Sequence, residues 1–328
     1  VIAIIATVLN EGDNIDRLMD SLCRQTLAPD QVVIVDGGST DDTVARMHRY
    51  TDRLPLQVIV RQGCNISEGR NTALQHTTQA IIAITDAGVL LPNTWLHDIT
   101  QPLRENPSTT VSAGFFRADP HTVFEVAMGA TVLPLQDEIN PDTFLPSSRS
   151  IAVRREVALA IGGYPEWLDY CEDLIFDLRL KATQPPFAFA PQATVAFRPR
   201  ASLRAFYKQY YLYARGDGKA NLWRKRHLIR YGVYGVGLPL LLILGLISPV
   251  FWGVLFLGAI AYCQRPLRRL PRVMTHFSAR TPAHWVIAFA LIPIIRVVGD
   301  IAKMHGYPVG LAWRRHNQPP NWQIEGHI

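Results

Sequence analysis

The first hundred residues alternate short apolar runs with amphipathic stretches. Val1–Val8 is a β-branched-rich run, and Ile15, Leu18, Met19 and Leu22 follow at helical spacing. The pattern repeats as Gln31–Val35 then Asp41–His48, Leu56–Val60 then Glu68–His76, and Ala80–Thr85 then Trp95–Leu103. Strands alternating with helices predict an α/β fold with a largely parallel sheet. Ligands of such sheets lie outside the carboxyl ends of the strands. Here those ends are Thr7–Glu11, Asp36–Thr40 and Asp86–Gly88, so polar residues gather where a ligand is expected. Between Val111 and Pro199 the order becomes mixed. Ser150–Val153 and Thr194–Phe197 read as strands, Leu174–Lys181 as a helix, and Pro141–Ser148 as a loop.

The pattern then changes. Arg198–Arg230 holds ten Lys and Arg and a single acid, Asp217, interleaved with tyrosines and Trp223. Tyr231–Cys263 runs 33 residues without a charge, and five arginines follow between Arg265 and Arg280. One spanning helix needs about 20 apolar residues, so this run is long for one span and short for two full ones. Basic flanks belong on the cytoplasmic face. With Ser248-Pro249 as the turn, the run predicts a hairpin of two short helices with both chain ends cytoplasmic. Trp285–Ile295 offers only 11 residues before Arg296, which places it at the interface or packed on the hairpin rather than across the bilayer. The expected layout is a catalytic domain over 1–200, basic aromatic juxtamembrane helices over 201–230, the hairpin over 231–263, and a basic linker, interfacial or third membrane helix and tail over 264–328.

Charge sharpens this division. The net charge of +6 conceals 14 Lys and Arg against 24 Asp and Glu in residues 1–197, and 19 against 3 thereafter. An acidic half followed by a basic, apolar half predicts a soluble domain tethered to an anionic surface. The chain is 48% hydrophobic and 18% charged, which excludes a disordered protein. Four scattered cysteines without a C-x-x-C read as reduced thiols acting as small hydrophobes, in a cytosolic setting. No secretory leader is expected, since Val1 opens directly on a strand pattern.

Candidate chemistry follows from the strand ends. Asp36-Gly37-Gly38-Ser39-Thr40-Asp41 lets the backbone approach a ligand closely and caps the next helix, with Asp36 able to accept a hydrogen bond from a base or ribose. Read alone, it is equally a well-capped turn. Thr7-Val8-Leu9-Asn10-Glu11 and Thr85-Asp86-Ala87-Gly88 end two further strands, and Glu172-Asp173 opens a helix after Gly162-Gly163-Tyr164. Acids converging on one sheet edge suit a divalent cation carrying a diphosphate, and a further carboxylate can deprotonate an acceptor hydroxyl.

These segments, with Ser67-Glu68-Gly69-Arg70-Asn71, resemble an inverting family 2 glycosyltransferase of the GT-A fold over about residues 1–215. The resemblance implies a mostly parallel nucleotide-sugar-binding sheet followed by membrane or interfacial helices. It implies that Thr7, Asn10 and Glu11 line the nucleoside pocket, that Asp36 contacts the base, and that Arg70 lies near the sugar nucleotide. Asp86 would ligate Mg²⁺ or Mn²⁺. Asp173 would be the general base, with Glu172 holding hydroxyls beside it. Simpler roles compete: Arg70 pairing with Glu68 or Asp86, and Glu172 as an ordinary helix-start acid. The partners implied are a nucleotide-diphosphate sugar, a lipid-linked or membrane-proximal acceptor and membrane lipids, at the cytoplasmic membrane of the cell.

Two departures matter. The expected D-x-D is Asp86-Ala87-Gly88, so a second metal ligand must come from elsewhere, with His121 one source. The Q-x-x-R-W signature of processive synthases is missing, which points to transfer of one sugar rather than polymer extrusion. The rival classes are a catalytically silent membrane scaffold and a nucleic-acid binder using Arg198–Arg230. The basic segment's position beside an uncharged run favours the membrane over nucleic acid.

Overall fold

The computed structural model of the chain describes residues 1–323; the end of the tail expected over 264–328 lies outside them. Contacts divide the chain into two units. The first comprises Val1–Arg117, Gln136–Phe197 and the chain from Pro320 onward, and the second comprises Ala118–Leu135 and Arg198–Pro319.

The first unit is built on β1 (Ile2–Val8), α1 (Asn14–Cys23), β2 (Gln31–Asp36), α2 (Thr43–His48), β3 (Leu56–Val60), α3 (Ile66–His76) and β4 (Ile81–Ile84). The short β5 (Val89–Leu90), α4 (Trp95–Glu105) and β6 (Val111–Ala118) follow. After α5 (Val123–Val132), which belongs to the second unit, come β7 (Ile151–Arg154), α6 (Arg155–Ala160), α7 (Glu172–Thr183) and β8 (Ala188–Phe197). The eight strands form one sheet in the order β3-β2-β1-β4-β7-β6-β8-β5. β1 pairs in parallel with β2 and β4, and β2 with β3, whereas β7 runs antiparallel to β4 and β6.

Why β1 is the axis follows from its side chains. Successive residues of a strand face opposite sides, and Ile2, Ile4, Ala6 and Val8 enter one core with Ile15, Leu18, Met19 and Trp95. Ala3 and Ile5 enter the other, with Ala73, Leu74, Tyr164 and Phe176. A strand covered on both faces reads as a continuous apolar run, and each fully buried Ile or Leu stabilises by about 1.5–3 kcal/mol. α3 begins with a reciprocal cap. Asn65 Oδ1 accepts from the Glu68 amide (3.0 Å), and Glu68 Oε2 accepts from the Asn65 amide (2.8 Å).

In the second unit, α8 (Leu203–Ala220) is followed by α9 (Arg224–Gly232), a π-turn and α10 (Leu238–Ile247), which run on as one helix. α11 (Val250–Met274) and α12 (Pro282–Asn317) complete it. The turn falls at Ser248-Pro249, as the sequence predicts. Arg265, Arg268, Arg269 and Arg272 extend α11 rather than forming a linker. Trp285–Ile295 is not a short isolated segment either, because α12 continues unbroken through Arg296 for 36 residues.

Three helical stretches, Arg224–Ile247, Val250–Met274 and Pro282–Asn317, are long and apolar enough to cross a membrane. Leu246, Ile247, Val250, Phe256 and Leu257 all stand exposed. α8 and α12 lie backbone to backbone. A Cβ on Gly306 would lie 2.1 Å from the Tyr211 carbonyl oxygen, and one on Gly310 the same distance from that of Arg215. α5 packs on α11 and α12, burying Val126, Ala127, Met128 and Ala130 with Val273, Met274 and Ile292.

One polar node ties these helices together. Asp300 Oδ1 accepts from Arg230 Nε (2.8 Å), and its Oδ2 accepts from Tyr262 (2.6 Å) and Tyr234 (3.2 Å). Arg296 lies over the Tyr262 ring at 4.0 Å. These pairings hold the charges of α12 inside a helix that an isolated reading of Arg296 would have ended.

Candidate active site

Two loops at the carboxyl edge of the sheet are locked to each other. The left-handed backbone of Asn10 (φ +53°) turns the chain after β1. Its amide donates to Ser39 Oγ (2.8 Å), and its Oδ1 accepts from the Thr40 amide (2.9 Å). Asp36, at the end of β2, is fully buried and spends its carboxylate on its own loop. It accepts from the amides of Gly38 (2.9 Å) and Ser39 (2.8 Å) and from Ser39 Oγ (2.5 Å). Thr43 Oγ1 receives the amides of Glu11 and Gly12 (3.0 Å each). It donates in turn to Asp41, whose carboxyl is held below its ordinary range by that bond. Thr7 lies beneath α3, where a Cβ on Gly69 would come within 2.5 Å of its methyl group, and its hydroxyl has no partner among the described residues. Thr7, Asn10, Glu11 and Asp36 therefore share one edge, but Asp36 acts here on the turn itself.

The second cluster centres on Arg70, which is 2% exposed on α3. Its Nη1 donates to Glu172 Oε1 (2.6 Å) and its Nη2 to Asp86 Oδ1 (2.7 Å), while the guanidinium lies 5.0 Å above the Tyr164 ring. Burial works against the Arg70 charge, but Asp86 and Glu172 outweigh it and hold its pKa above the usual range. The Asp86 carboxyl would rise on burial, yet Arg70 and Arg149 hold it below its ordinary value. Burial pushes Glu172 up to about 7 against the pull of Arg70, and the neighbouring Asp173 charge adds to the rise. One arginine thus bridges the strand-end acid to the acidic start of α7. Both simpler roles are partly realised: Arg70 does pair with Asp86, and Glu172 does open a helix.

α7 starts abruptly because Cys171 takes a left-handed conformation (φ +65°), which costs a non-glycine residue about 1–2 kcal/mol. Asp173 follows in the first turn and accepts from the Leu174 amide (2.9 Å). One turn further on, Asp177 is fully buried with Oδ2 unpartnered among the described residues, and burial with the nearby Asp173 charge raises its pKa well above normal. Three contributors were not singled out from the sequence. Asn71 clasps the glycine loop, accepting the Tyr164 amide (2.8 Å) and donating to the Tyr164 carbonyl (2.9 Å). Gly163 is required beneath it: φ is +63° and a Cβ would lie 2.4 Å from Asn71 Oδ1. Arg149, stacked on Phe197 at 4.6 Å, faces Asp86 Oδ2 at 3.6 Å. Asp177 is the third. Its signal was the i, i+4 spacing from Asp173 on one helix face.

The donor set decides what cation fits. Asp86 is committed to two arginines, and His121 lies by Asp119 (3.4 Å) in the other unit. Among the described residues no group of three or more His, Cys, Asp and Glu could hold a metal ion. A carboxylate has about four lone-pair sites, so Asp86 can still bind a cation that arrives on a diphosphate, as Mg²⁺ commonly does. A resident ion held by protein groups alone does not fit.

Residues 3–157 match the model for Glycosyl transferase family 2. That segment, just under half of the chain, is similar to family 2 of the glycosyltransferases. The chain is 31% identical over 94 residues to validoxylamine A glucosyltransferase of Streptomyces hygroscopicus subsp. limoneus, spanning 27% of this chain and 21% of that protein's length. It is 25% identical over 230 residues to succinoglycan biosynthesis protein ExoA of Rhizobium meliloti, covering 66% of this chain and 68% of the relative. Its fold matches that of a mannosyltransferase from Pyrobaculum calidifontis in complex with GDP-Man and Mn²⁺, with a TM-score of 0.55 at 18% identity, over 96% of this chain and 86% of that one. The matched segment runs through the GT-A-type sheet from β1 to β7, with α5 of the second unit inside it, and long apolar helices follow, as the sequence resemblance implies.

Proposed function

We propose that the protein is a membrane-attached inverting glycosyltransferase. It moves one sugar from a nucleotide-diphosphate sugar to a lipid-linked or membrane-proximal acceptor. The observation that carries this reading is the bridge from Asp86, after β4, through Arg70 to Glu172, the neighbour of Asp173; ligands of such sheets lie outside the carboxyl ends of the strands. The mannosyltransferase with GDP-Man and Mn²⁺, and relatives in polysaccharide and O-antigen synthesis, support it.

In the mechanism, Thr7, Asn10 and Glu11 hold the nucleoside, with Asp36 fixing the loop beneath it. Arg70 and Arg149 face the diphosphate edge and offset the charge that grows on the leaving group. A Mg²⁺ or Mn²⁺ held by Asp86, when bound with the diphosphate, supplies further positive charge there. Asp173 takes the acceptor hydroxyl proton as the oxygen attacks the anomeric carbon. The carbon–oxygen bond to the diphosphate breaks with its electron pair on the nucleotide, and one displacement inverts the centre. Glu172, fixed by Arg70, holds hydroxyls in place. Helices of spanning length, with basic residues before Tyr231 and from Arg265 onward, support attachment to the cytoplasmic membrane by a hairpin whose two ends lie on the cytoplasmic face.

Asp173→Asn should keep donor binding by calorimetry and lose transfer by about 10²–10⁴-fold. Turnover within a few-fold of wild type, with Glu172→Gln inactive, would assign the base to Glu172 instead. Asp86→Ala should abolish any dependence of donor affinity on Mn²⁺.

A further inference from the structure

The second unit contains a cavity of about 860 Å³ that the proposed transfer reaction does not use. Arg224 from α9 and Arg314 and Arg315 from α12 line it, and among the described residues no carboxylate does. Arg314 spends one guanidinium nitrogen on the Lys219 carbonyl (2.9 Å), which fixes it and leaves its other donors. Tyr307 supplies an independent pointer. It lines the same cavity at 4% exposure, its ring stacked on His227 at 3.8 Å, and its hydroxyl has no hydrogen-bond partner among the described residues. A buried hydroxyl without a partner is costly, and an acceptor in the cavity would relieve it. Leu228, Pro308, Leu311 and Pro319 give the wall an apolar part, beside the polar Asn221, Tyr231 and Gln318.

The cavity's place along the helices gives the ligand its second half. α9 leads from Arg224 into the uncharged run that begins at Tyr231, and α12 reaches Arg314 after its apolar stretch from Trp285 to Ile295. Both linings are therefore the charged ends of helices long enough to span. Guanidinium forks match phosphate oxygens two at a time, and basic pockets between membrane helices suit lipid head groups.

We infer that this cavity binds the phosphate of an anionic lipid, with Arg224, Arg314, Arg315 and the Tyr307 hydroxyl around the phosphate and the apolar part of the wall along its chain. The inference rests on the membrane attachment proposed above. Two lipids offer this chemistry: a phospholipid such as phosphatidic acid, and a polyprenyl phosphate of the kind that carries glycan acceptors.

The test uses the full chain purified in detergent, without sugar donor. Native mass spectrometry would compare phosphatidic acid, a polyprenyl phosphate, phosphatidylcholine and inorganic phosphate. At least one of the two anionic lipids should be retained over phosphatidylcholine, with inorganic phosphate retained weakly, and the tighter of the two names the source. Arg224→Gln with Arg315→Gln should weaken that lipid by about tenfold or more, the loss expected for a charge-assisted bond. Tyr307→Phe, which leaves the ring stack intact, should weaken it less but measurably. Equal retention of phosphatidylcholine, or of inorganic phosphate alone, overturns the inference, as does unchanged binding in both variants when they elute as folded monodisperse protein. Carbonate extraction of membranes reads the attachment separately, so a released protein and a non-selective cavity are distinct results.

Discussion

The two units hold charge in opposite ways. In the first, a single buried cation, Arg70, stands between Asp86 and Glu172, with Asp173 and Asp177 close behind. In the second, a single acid, Asp300, stands among Arg230, Lys303, Tyr234 and Tyr262. Asp300 has both oxygens taken, and the result is a strut between helices. The Arg70 node instead has more carboxylate than one guanidinium can neutralise. Burial pushes Glu172 up to about 7 and, with the Asp173 charge, raises Asp177 well above its ordinary value, so the acids around Arg70 are not all matched by it. Excess charge on one sign makes a site; balance makes a joint.

The largest break in this contrast should come from Arg70→Met. It leaves Asp86 and Glu172 without their partner, and removing one side of a buried ion pair typically costs about 3–5 kcal/mol. Denaturant unfolding should show that loss together with abolished transfer, and Arg70→Lys should recover part of the stability but not the two-armed geometry. Next, Gly306→Leu should force α8 from α12. Overpacking of this kind costs about 1–3 kcal/mol, read as a lower melting temperature in detergent with donor binding by the first unit retained. Asp300→Asn keeps an acceptor for the tyrosines and removes only the charge, so a loss of about 1 kcal/mol is expected with kcat within a few-fold of wild type. A large kcat effect would show that the strut is also part of the site.

The smallest effect sharpens the account of Glu172. Its folded pKa is raised from 4.5 to about 7, so between those values the folded state binds more protons than the unfolded chain. That contribution to stability is full below about pH 4.5 and is lost as pH rises through about 7. Asp86, held low, acts in the opposite sense, losing its contribution as pH falls through its lowered value. Wild type minus Glu172→Gln, followed by thermal unfolding across pH 4.5–7, should isolate the first trend as a declining difference.

Much of the parallel half of the sheet was legible, because strands buried on both faces leave continuous runs such as Ile2–Val8 and Val32–Val35. Asp86 and Glu172-Asp173 were visible as acids at element ends. What one-dimensional spacing hides is pairing across long separations. Asn71 meets Tyr164 93 residues away, and Arg70 meets Glu172 at 102. The length of α12 was hidden for the same reason. Arg296 reads as the end of an apolar helix until Tyr262 is seen beneath it. The 1–200 boundary also missed α5, whose Val123–Val132 sequence carries no sign that its packing partners lie beyond residue 250.

That placement of α5 has a practical side for anyone seeking a soluble enzyme. The chain passes between its two units after Arg117, after Leu135, after Phe197 and before Pro320. A stop codon at the end of β8 would therefore not release a self-contained catalytic fragment. It would strip α11 and α12 from α5, leaving Val126, Met128 and Ala130 bare in water, and would remove Trp322, whose carbonyl receives Arg179 (3.2 Å). Such a fragment should aggregate unless α5 is resurfaced, with Met128 and Val126 the first positions to make polar.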